Sequence, residues 1–471
     1  MRVLRQESKA SGIVGQSVLK VVLPGNVKYI IKTLQNAGFD AYAVGGCVRD
    51  VMLGRTPKDW DVTTDAKPLQ VKKLFRRTID TGIQHGTVTV MLNDENGEYR
   101  GYEVTTYRID GEYEDLRHPK EVTYTKSLRE DLERRDFTIN AMAYNERTGL
   151  VDEFNGLADL KKRIIRAVGD PYERFSEDAL RILRAYRFAA QLGFGIDFDT
   201  ETAASKLKDN LKKISAERVQ AELTKLICSP HPDVLLDMYL AGITSVILPE
   251  FDRCMKTDQK NKHHLYNVGE HTIRALMVNA EFSGMEFEPD PLRYIRYAIL
   301  FHDFGKPDAM TEDENGVRHF KGHAAISEQL ATGIMKRLKL DNATIHTVAA
   351  LVKWHDHRPE ATKVNVRRAM NRIGPDIYRL LFPIRIADTL AQSLYKREEK
   401  LAYEREIMRL YSEIMESGDP VSLKDLAVSG SDLIEHGYEP GRELGEKLKE
   451  LLELVIKDPK CNTKEYLLSK I

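Results

Sequence analysis

The chain has 471 residues, of which 42% are hydrophobic and 30% charged, and this composition excludes a disordered or collagen-like protein. Its length exceeds what one hydrophobic core usually serves, so we expect several domains. The 71 lysines and arginines balance 72 aspartates and glutamates, which excludes a uniformly basic surface and restricts any nucleic-acid interface to local patches. The cysteines form no CxxC pair and predict neither a zinc ribbon nor a disulfide framework.

The distribution of apolar residues bears on localisation. The stretch "MRVLRQESKASGIVGQ" lacks the apolar core of a signal peptide, and no apolar run approaches the roughly 18 residues of a membrane helix. We therefore expect a cytoplasmic protein without a membrane partner. No pattern in the sequence predicts an oligomeric state.

Alternating periodicities predict a small α/β domain early in the chain. In "VKYIIKTLQNAG" the apolar residues from Val27 to Ala37 follow helical spacing, and Gly38 is a natural terminator. "AYAV" at 41–44 predicts a strand, and "GGCVRDVMLG" predicts a glycine turn followed by a short helix. "DWDVTT", "TVTVML" and "YEVTTYR" are rich in β-branched and aromatic residues and predict further strands of a mixed sheet.

From about residue 156 onward helical periodicity replaces the strand signals, as in "SEDALRILRAYRFAAQLG" and "GRELGEKLKELLELVI". The predicted fold class is therefore α+β, with a small mixed-sheet head followed by an all-helical neck, body and tail. The predicted boundaries are 1–26 for an N-terminal extension, 27–155 for the head, 156–252 for the neck, 253–400 for the body and 401–471 for the tail.

Two aspartates one residue apart, Asp59 and Asp61, form the first candidate site. On a strand both side chains project to the same face, and like charges at that distance are usually offset by hydrogen bonds or a cation. Glu103, in the strand-like "GYEVTTYR", offers a third carboxylate from a neighbouring strand. Three carboxylates together with substrate phosphates suit Mg²⁺. For an isolated DxD pair, a solvated turn or a helix cap is the alternative.

The glycine turn that precedes this pair favours phosphate binding. Gly45 and Gly46 let the backbone approach a phosphate closely, and the short helix that follows directs N–H groups toward an anion. Arg49, one turn into that helix, carries a guanidinium suited to phosphate oxygens. The combination predicts a nucleoside-triphosphate site.

Five segments in succession resemble the signature motifs of one family. "VGGCVRD", "DWDVTT", "YEVTTYR", "EDLERRDFTINAMAY" and "SEDALRILRAYRFAAQLGF" are similar to those of the class II tRNA nucleotidyltransferases, which are the CCA-adding enzymes and their bacterial poly(A) polymerase relatives. The resemblance implies template-independent addition of CCA to the 3′ end of tRNA from CTP and ATP, with release of pyrophosphate. The expected partners are therefore tRNA, CTP and ATP, and the expected cofactor is Mg²⁺.

The resemblance also implies roles for individual residues. Asp59 and Asp61 would bind the catalytic metals, and Glu103 would complete the acidic site. The implied nucleotide-binding residues are Gly45, Gly46 and Arg49 for the triphosphate and Arg134, Arg135 and Asn140 of "RRDFTINA" for the sugar and phosphates.

Base choice is assigned to Asp178 and Arg181, which stand three residues apart on one predicted helix face. A carboxylate beside a guanidinium matches the amino donor and ring-nitrogen acceptor of cytosine and adenine, and opposes uracil and guanine. In the family the matching pair reads the base, and Arg184 would support the base or the phosphates. From the spacing alone, an intrahelical salt bridge remains the alternative.

The polar stretch between "YEVTTYR" and "RRDFT", residues 108–131, is predicted to be a loop that moves during catalysis. The family resemblance implies that this loop is needed to switch from C to A addition. Its full length favours addition of the complete CCA sequence.

A second constellation lies in the predicted body. "LFHDFGKP" sets a histidine beside an aspartate, with a histidine upstream in "VGEHTIRAL" and an aspartate downstream in "IRIADTLAQS". This order resembles that of the HD metal-dependent hydrolases, which assigns 253–400 to an HD domain. By this resemblance the ligands of a divalent transition metal or Mg²⁺ are His271, His302, Asp303 and Asp388, with His323 and His355 placed for a second metal. The alternative is a helical domain without turnover.

Three other functions remain open at this point. A poly(A) polymerase built on the same head differs little in its active-site motifs. An HD phosphohydrolase with a nucleotide-binding head would not need both Asp59 and Asp61, and both are present. A non-catalytic RNA-binding module is disfavoured by the same acidic residues. For residues 401–471, "DLAVSGSDLIEHGYEPGRELGEKLKELL" resembles the tRNA-binding tail of HD-bearing CCA-adding enzymes.

Overall fold

The computed structural model describes residues 21–94, 96–111, 122–282 and 289–471. Residues 1–20 of the predicted N-terminal extension and 112–121 of the predicted catalytic loop lie outside the described residues. The chain divides into two compact units, which consist of Met1–Arg181 with Gly195–Ala203 and of Ile182–Phe194 with Ala204–Ile471.

Seven strands form the central sheet of the first unit. The strands of this unit are β1 (Ala41–Val44), β2 (Asp61–Thr64), β3 (Thr78–Gly82), β4 (Thr87–Asn93), β5 (Tyr99–Thr106), β6 (Arg108–Asp110), β7 (Val122–Tyr124), β8 (Ala143–Asn145), β9 (Gly149–Val151), β10 (Ile164–Ile165) and β11 (Gly195–Ile196). The sheet order is β3-β4-β5-β2-β1-β8-β9, and only the β2–β5 pair is parallel. This arrangement confirms the predicted mixed sheet.

Short helices accompany this sheet. They are α1 (Gly25–Asn36), α2 (Gly46–Met52), α3 (Pro68–Leu74), α4 (Leu128–Glu133), α5 (Gly156–Lys162) and α6 (Pro171–Glu177), while α7 (Leu180–Leu192) and α8 (Phe198–Leu207) belong partly to each unit. The buried face of α1 carries Val27, Ile30, Ile31 and Leu34, as the apolar spacing predicts. Gly38, with φ +87°, follows its end.

A hydrophobic cluster supports the strands that carry the candidate site. It consists of the buried residues Tyr42, Val44, Tyr107, Leu132, Ala141, Ala143 and Val168. Because this cluster joins β1 to the end of β5 and to α4, it fixes the strand ends from which the polar side chains project.

Among its described residues the second unit is mainly helical, and its strands there are β12 (Thr311–Glu312) and β13 (Arg318–His319), of two residues each. Its further helices are α9 (Ala216–Ile227), α10 (Val234–Leu240), α11 (Thr244–Ile247), α12 (Pro249–Met255), α13 (Val268–Phe282), α14 (Pro289–Phe301), α15 (Lys306–Ala309), α16 (His323–Arg337), α17 (Asn342–Trp354), α18 (Lys363–Ile373), α19 (Pro375–Ala391), α20 (Arg397–Ser417), α21 (Gly430–Glu435), α22 (Arg442–Lys457) and α23 (Lys464–Leu468). The predicted α+β class is thereby confirmed. None of the helices within the described residues is long and apolar enough to cross a bilayer.

Candidate active site and a second metal-ligating cluster

Two carboxylates meet at the junction of the parallel strands β2 and β5. Asp61 is the first residue of β2, and Glu103 lies on β5. Val62 and Val104, which follow them directly, are paired in the sheet, so the two carboxylates stand side by side. Both residues are exposed. The sheet therefore brings together two of the three predicted acidic residues.

Asp59 lies two residues before β2 and outside it, so the prediction that both aspartates belong to a strand is wrong for Asp59. On the β1 side the ladder of β2 ends at Asp61, although β5 continues past this level on the other side. Asp61 pairs with Val44, the last residue of β1, and the chain turns at Gly45 directly after it. Residue 59 therefore has no partner on β1 for ladder hydrogen bonds.

The pKa of Asp61 lies above its ordinary value. Protein atoms that displace water from its carboxylate are the main cause, although much of the residue surface is exposed, and Glu103 and Asp59 add negative charge. Arg135 acts in the opposite direction. A hard divalent cation suits this donor set, because it offsets the repulsion and accepts carboxylate together with phosphate oxygens.

The glycine turn lies beside these carboxylates. Gly45 has φ +83°, and a Cβ added there would lie 3.1 Å from Nη1 of Arg135. The backbone N–H of Gly45 donates to the carbonyl of Met142 at 3.1 Å, and Gly46 begins α2. Only glycine lets the backbone take this conformation so close to a guanidinium.

Arg49 and Asn140 are bonded to each other in the first unit. Nη1 of Arg49 donates to Oδ1 of Asn140 at 2.8 Å, and its Nη2 lies 2.7 Å from Oδ1 of Asp50. Nδ2 of Asn140 donates to Asp136 at 3.1 Å. Both Arg49 and Asn140 are buried. The structure thus brings these two predicted nucleotide-binding residues together and fixes the guanidinium direction.

Arg134 and Arg135 share one buried carboxylate, that of Asp131. Nε and Nη2 of Arg134 donate to Oδ1 of Asp131 at 3.0 and 2.7 Å, and Nη2 of Arg135 donates to Oδ2 at 3.4 Å. Thr63 of β2 donates its hydroxyl to the same Oδ2 at 2.9 Å. Sequence reasoning missed Asp131, although its position three and four residues before two arginines is a signal for such pairing.

Asp178 and Arg181 do not stand on one helix face, and this prediction is wrong in its geometry. Asp178 lies between α6 and α7 with extended backbone, φ −134° and ψ 102°, and its Oδ1 accepts a hydrogen bond from the Leu180 N–H at 3.0 Å. An aspartate that caps the following turn in this way favours a break over a continuous helix. The pair still lies within one turn of chain.

Arg181 is fixed by partners that the sequence did not indicate. Its Nη1 donates to Glu177 and to the carbonyl of Arg174, at 2.5 and 3.0 Å, and its Nη2 donates to the carbonyl of Arg134 at 2.9 Å. Arg181 is buried. In the second unit, Arg184 packs its guanidinium 5.5 Å from the ring centre of Phe188.

The second unit brings together all four residues predicted for the HD site. Nε2 of His271 lies 2.9 Å from Oδ1 of Asp388 and 3.7 Å from Oδ2 of Asp303. Nε2 of His302 lies 3.2 Å from the same Oδ2 of Asp303. These residues come from α13, from the turn after α14 and from α19.

His323 and His355 approach the other oxygen of Asp303. Nε2 of His323 lies 3.3 Å from Oδ1, and Nε2 of His355 lies 4.0 Å from it. Within the described part of the chain, two groups of three metal-ligating side chains have their ligand atoms within 4.8 Å of one another: His271, His302 and Asp303, and Asp303, His323 and His355. Asp59, Asp61 and Glu103 form no such group there.

The pKa shifts at this cluster differ between its side chains. Burial acts to lower the pKa of His302, but Asp303 and Asp388 outweigh it and raise that pKa. Burial acts to raise the pKa of Asp303, but His302 and Lys306 outweigh it and hold that pKa well below its usual range. Burial lowers the pKa of His355 to about 3. Oδ2 of Asp303 is buried 2.7 Å from Nζ of Lys306 and 3.2 Å from Nε2 of His302. An ionised carboxylate and neutral imidazoles are the forms that bind a divalent ion.

Two groups around the cluster were missed in the sequence. Nζ of Lys306 lies 2.7 Å from Oδ2 of Asp303 and donates to Gln259 at 2.8 Å. Arg385, fully buried on α19, donates to the carbonyls of His355 and His357 at 3.2 and 2.6 Å. Contacts of this kind join distant segments of the chain, so the sequence rarely indicates them. For the contact of Lys306 with Asp303, the position of Lys306 close to the HD pair in "HDFGK" was a signal.

Three family models match consecutive parts of the chain. The model described as "Poly A polymerase head domain" matches residues 41–166, and the model described as "Probable RNA and SrmB-binding site of polymerase A" matches 193–255. The model described as "tRNA nucleotidyltransferase domain 2 putative" matches 311–471. The first match covers the acidic residues and the glycine turn, and the third covers His323, His355 and Asp388.

Similar proteins cover nearly the whole chain. A CCA-adding enzyme from Lactobacillus helveticus is 36% identical over 434 residues, which are 91% of this chain and 91% of that protein. A CCA-adding enzyme from Levilactobacillus brevis is 34% identical and covers 94% of this chain and 96% of its own. The crystal structure of the Bacillus stearothermophilus CCA-adding enzyme in complex with CTP is similar with 28% identity and a TM-score of 0.68, over 94% of this chain and 96% of that chain.

Proposed function

The chain belongs to the family of CCA-adding enzymes, and from this premise we propose that it adds CCA to the 3′ end of tRNA from CTP and ATP, with release of pyrophosphate. Nucleotidyltransferases of this family use a divalent metal ion. We propose Mg²⁺ as that ion, because the exposed ligands in the first unit are carboxylates and the substrate brings phosphate oxygens.

One observation carries the assignment of the reaction centre. Asp61 and Glu103 stand side by side on the parallel strands, while the β1–β2 register sets the Gly45 turn directly beside Asp61. Acidic oxygens and a backbone that admits a phosphate therefore occupy neighbouring positions in one sheet. Asp59 is assigned to the same centre, since its charge acts on the Asp61 carboxyl.

The reaction transfers a nucleotide from the triphosphate to the RNA hydroxyl. The terminal hydroxyl oxygen of the RNA loses its proton to solvent and forms a bond to the α-phosphorus of the nucleotide. The bond from that phosphorus to the bridging oxygen breaks, and pyrophosphate leaves with its electron pair. A divalent ion, when bound, supplies charge neutralisation and lowers the pKa of the attacking hydroxyl. The chain supplies the carboxylates of Asp59 and Asp61 that hold such an ion, with Glu103 beside them.

Arginines of the first unit are assigned to the triphosphate. Arg135 lies against Gly45 and acts on Asp61, so it is placed for phosphate oxygens near the carboxylates. Arg49 is held by Asn140 and Asp50, and Arg134 by Asp131. A guanidinium held by neighbouring side chains loses less side-chain entropy when it binds a phosphate.

Base choice is assigned to Asp178 and Arg181, with Arg184 in support. The partners of Arg181 fix its guanidinium at three points, and the extended backbone at Asp178 places that carboxylate between two helices. A rigid donor and acceptor set discriminates bases because a mismatched edge leaves polar groups unpaired.

The test uses tRNA that lacks its three terminal nucleotides, incubated with each labelled nucleotide alone and then with CTP and ATP together. We expect CTP alone to add C residues, the mixture to complete CCA, and UTP and GTP to add nothing. Asp61→Asn is expected to abolish addition while leaving tRNA binding intact. Asp80→Asn, on an exposed strand residue that pairs with Lys72, is the control and should match the parent. Long A tracts from ATP alone would instead indicate a poly(A) polymerase.

A second function is favoured by a cluster of six side chains in the second unit. This six-residue cluster consists of His271, His302, Asp303, His323, His355 and Asp388. We propose that it binds a divalent transition metal or Mg²⁺ and hydrolyses phosphoesters. Asp303 presents one oxygen to His302 and the other to His323, so one carboxylate serves two groups of ligands. In the reaction a water oxygen bonds to phosphorus, the ester P–O bond breaks, and the leaving oxygen takes a proton. A bound ion supplies Lewis-acid polarisation and an activated water.

A further inference from the structure

One of the predicted metal ligands, His355, lies at the end of a helix. The last residue of α17 is Trp354, and His355 follows it directly. The ring of His355 lies close to other ligands, with its Nε2 3.3 Å from Nε2 of His323 and 4.0 Å from Oδ1 of Asp303. The last carbonyls of a helix have no partner within that helix, so the backbone there needs other donors. The place of His355 as a ligand therefore depends on what binds the carbonyls around it.

Arg385 of α19 supplies such donors. Its Nη2 donates to the carbonyls of Trp354 and His357, at 3.2 and 2.6 Å, and its Nε donates to the carbonyl of His355 at 3.2 Å. The side chain of Arg385 is fully buried, so water does not compete for these bonds. A guanidinium carries its N–H groups in a rigid plane, whereas a lysine ammonium is a point charge. One planar group thus fixes three carbonyls of residues 354–357.

A buried carboxylate accompanies Arg385. Glu404 of α20 is buried, with its Oε2 4.0 Å from Nη1 of Arg385 and its Oε1 3.0 Å from Nε of Arg358. Arg358 also donates to the carbonyl of His355, at 2.6 Å. Replacing buried ion pairs with apolar side chains is often neutral or stabilising, so fold stability alone is a weak reason for this set of charges. The need for a fixed backbone at His355 accounts for it better.

The helix that carries Arg385 reaches both groups of metal ligands. Asp388 follows Arg385 by three residues on α19, and its Oδ1 lies 2.9 Å from Nε2 of His271. Residues three apart lie on one side of a helix. The helix α19 therefore contributes a ligand to the group around His271 and, through Arg385, holds the backbone of His355 in the group that includes His323.

We propose that Arg385 is a positioning residue for a second divalent ion, bound by Asp303, His323 and His355. By holding the carbonyls beside His355, its guanidinium keeps Nε2 of that ligand directed at the ion. The inference rests on the proposed second function, and it concerns how the cluster holds its ions and not which substrate it takes. Partners that orient a metal ligand typically contribute about 10- to 100-fold to metal affinity. We expect an effect of this size on the second ion alone.

The test titrates the full chain with Mn²⁺, without nucleotide, and follows the electron paramagnetic resonance spectrum. Two Mn²⁺ ions bridged by the Asp303 carboxylate give a magnetically coupled signal that an isolated ion does not give, so the coupled signal reports the second ion. Arg385→Met is expected to require about 10- to 100-fold more Mn²⁺ for half of the coupled signal. Arg385→Lys keeps the charge without the planar fork and should change in the same direction. Arg379→Met, on an exposed arginine of the same helix, is the matched control.

Equilibrium dialysis counts the bound ions, and thermal unfolding and CCA addition are measured for every variant. We expect the first ion, at His271, His302, Asp303 and Asp388, to bind the Arg385 variants with the parent's affinity, and CCA addition to be unchanged. If Arg385→Met does not fold, Arg385→Lys decides alone.

The outcomes separate this inference from the function on which it rests. A coupled signal that forms at the parent's Mn²⁺ concentration in the Arg385 variants would overturn the inference alone. Equal weakening of both ions would also overturn it, because Arg385 would then support the whole cluster. A parent that gives no coupled signal at any Mn²⁺ concentration would contradict the two ligand groups of the proposed second function, and the inference would fail with it.

Discussion

Asp131, which is fully buried, accepts two hydrogen bonds from the guanidinium of Arg134, at 2.7 and 3.0 Å. Its other oxygen accepts from Arg135 and from Thr63, which lies on β2 two residues after Asp61. Burial acts to raise the pKa of Asp131, but the two arginines outweigh it and hold the pKa below its ordinary value. One carboxylate therefore ties Arg134 and Arg135, which we propose for nucleotide binding, to the strand that begins with Asp61.

Asp131→Asn is expected to lower the free energy of unfolding by about 2 to 3 kcal/mol, because it leaves a buried guanidinium without its charge partner. The Arg134 side chain is 16% accessible, so water recovers part of the loss. Urea denaturation measures the effect. Asp80→Asn, which removes an exposed pair with Lys72, should cost less than about 1 kcal/mol.

The same substitution has a pH signature. Because the folded-state pKa of Asp131 is lowered, the carboxylate stabilises the fold fully above the unfolded-state pKa of about 3.9 and loses that contribution as pH falls through the folded-state value. The difference in unfolding free energy between parent and Asp131→Asn should therefore narrow below about pH 4. A difference that stays constant between neutral and acidic pH would contradict the ionised pair.

Gly45→Ala tests the contact between the glycine turn and Arg135. The new methyl group would lie 3.1 Å from Nη1 of Arg135, and we expect KM for CTP to rise because the guanidinium must move. Gly54→Ala is the control, since Gly54 also has positive φ but no atom within 4 Å of the Cβ position. Gly54→Ala should lose about 1 to 2 kcal/mol of stability from its positive φ. Gly45→Ala should lose about 1 to 3 kcal/mol, because φ +83° with ψ −134° is a region that residues other than glycine rarely adopt. If the two variants had equal KM values for CTP, the proposal that Arg135 binds the phosphates would be wrong.

Replacing Asp178 by asparagine and Arg181 by glutamine is expected to relax base choice. Incorporation of UTP or GTP relative to CTP and ATP should rise by about 1 to 3 kcal/mol in the ratio of kcat/KM values, the scale of an unpaired buried polar group. Glu177→Gln provides a comparison, because it loosens Arg181 at one of its three contacts and leaves the donors in place. If the double variant were slower but still excluded UTP and GTP, the proposal that Asp178 and Arg181 select the base would be wrong.

His302→Ala combined with Asp303→Ala is expected to abolish metal-dependent phosphoester hydrolysis and to reduce bound metal, while addition of CCA continues at the parent's rate. The reason is that these ligands and the head carboxylates belong to different compact units. His346→Ala, an exposed histidine on the helix that ends before His355, is the control. If addition collapsed in a folded double variant, the two reactions would not be independent.

Local signals in the sequence were sufficient for elements whose residues interact with near neighbours. The apolar spacing of α1 and the strand "AYAV" at 41–44 appear in the structure as predicted. The break at Asp178 was missed because helical periodicity continues through it, while a single capping hydrogen bond to Leu180 decides the backbone. The start of β2 at Asp61 was missed because it depends on pairing with distant strands, of which β1 ends at this level.

The candidate sites show the same division. Family motifs indicated the acidic residues and the HD ligands, but the shared carboxylate of Asp131 and the three contacts of Arg181 are set by tertiary packing. Asp388 comes within 2.9 Å of His271 although 117 positions separate them. Spacing along a chain carries no information on such a distance, so this contact emerged only from the fold.

The pairing of Val44 with Asp61 fixes the position of the Asp61 carboxylate relative to the Gly45 turn. Hydrogen bonding between β1 and β2 sets Asp61 opposite Val44, the residue before Gly45, whatever path the chain takes between α2 and β2. Asp59 lies outside β2 and is not held by this pairing, so the length of residues 55–58, which lead directly to it, decides where its carboxylate stands. An insertion of one residue there should therefore move Asp59, while the two strands keep the Gly45 turn and the Asp61 carboxylate in register.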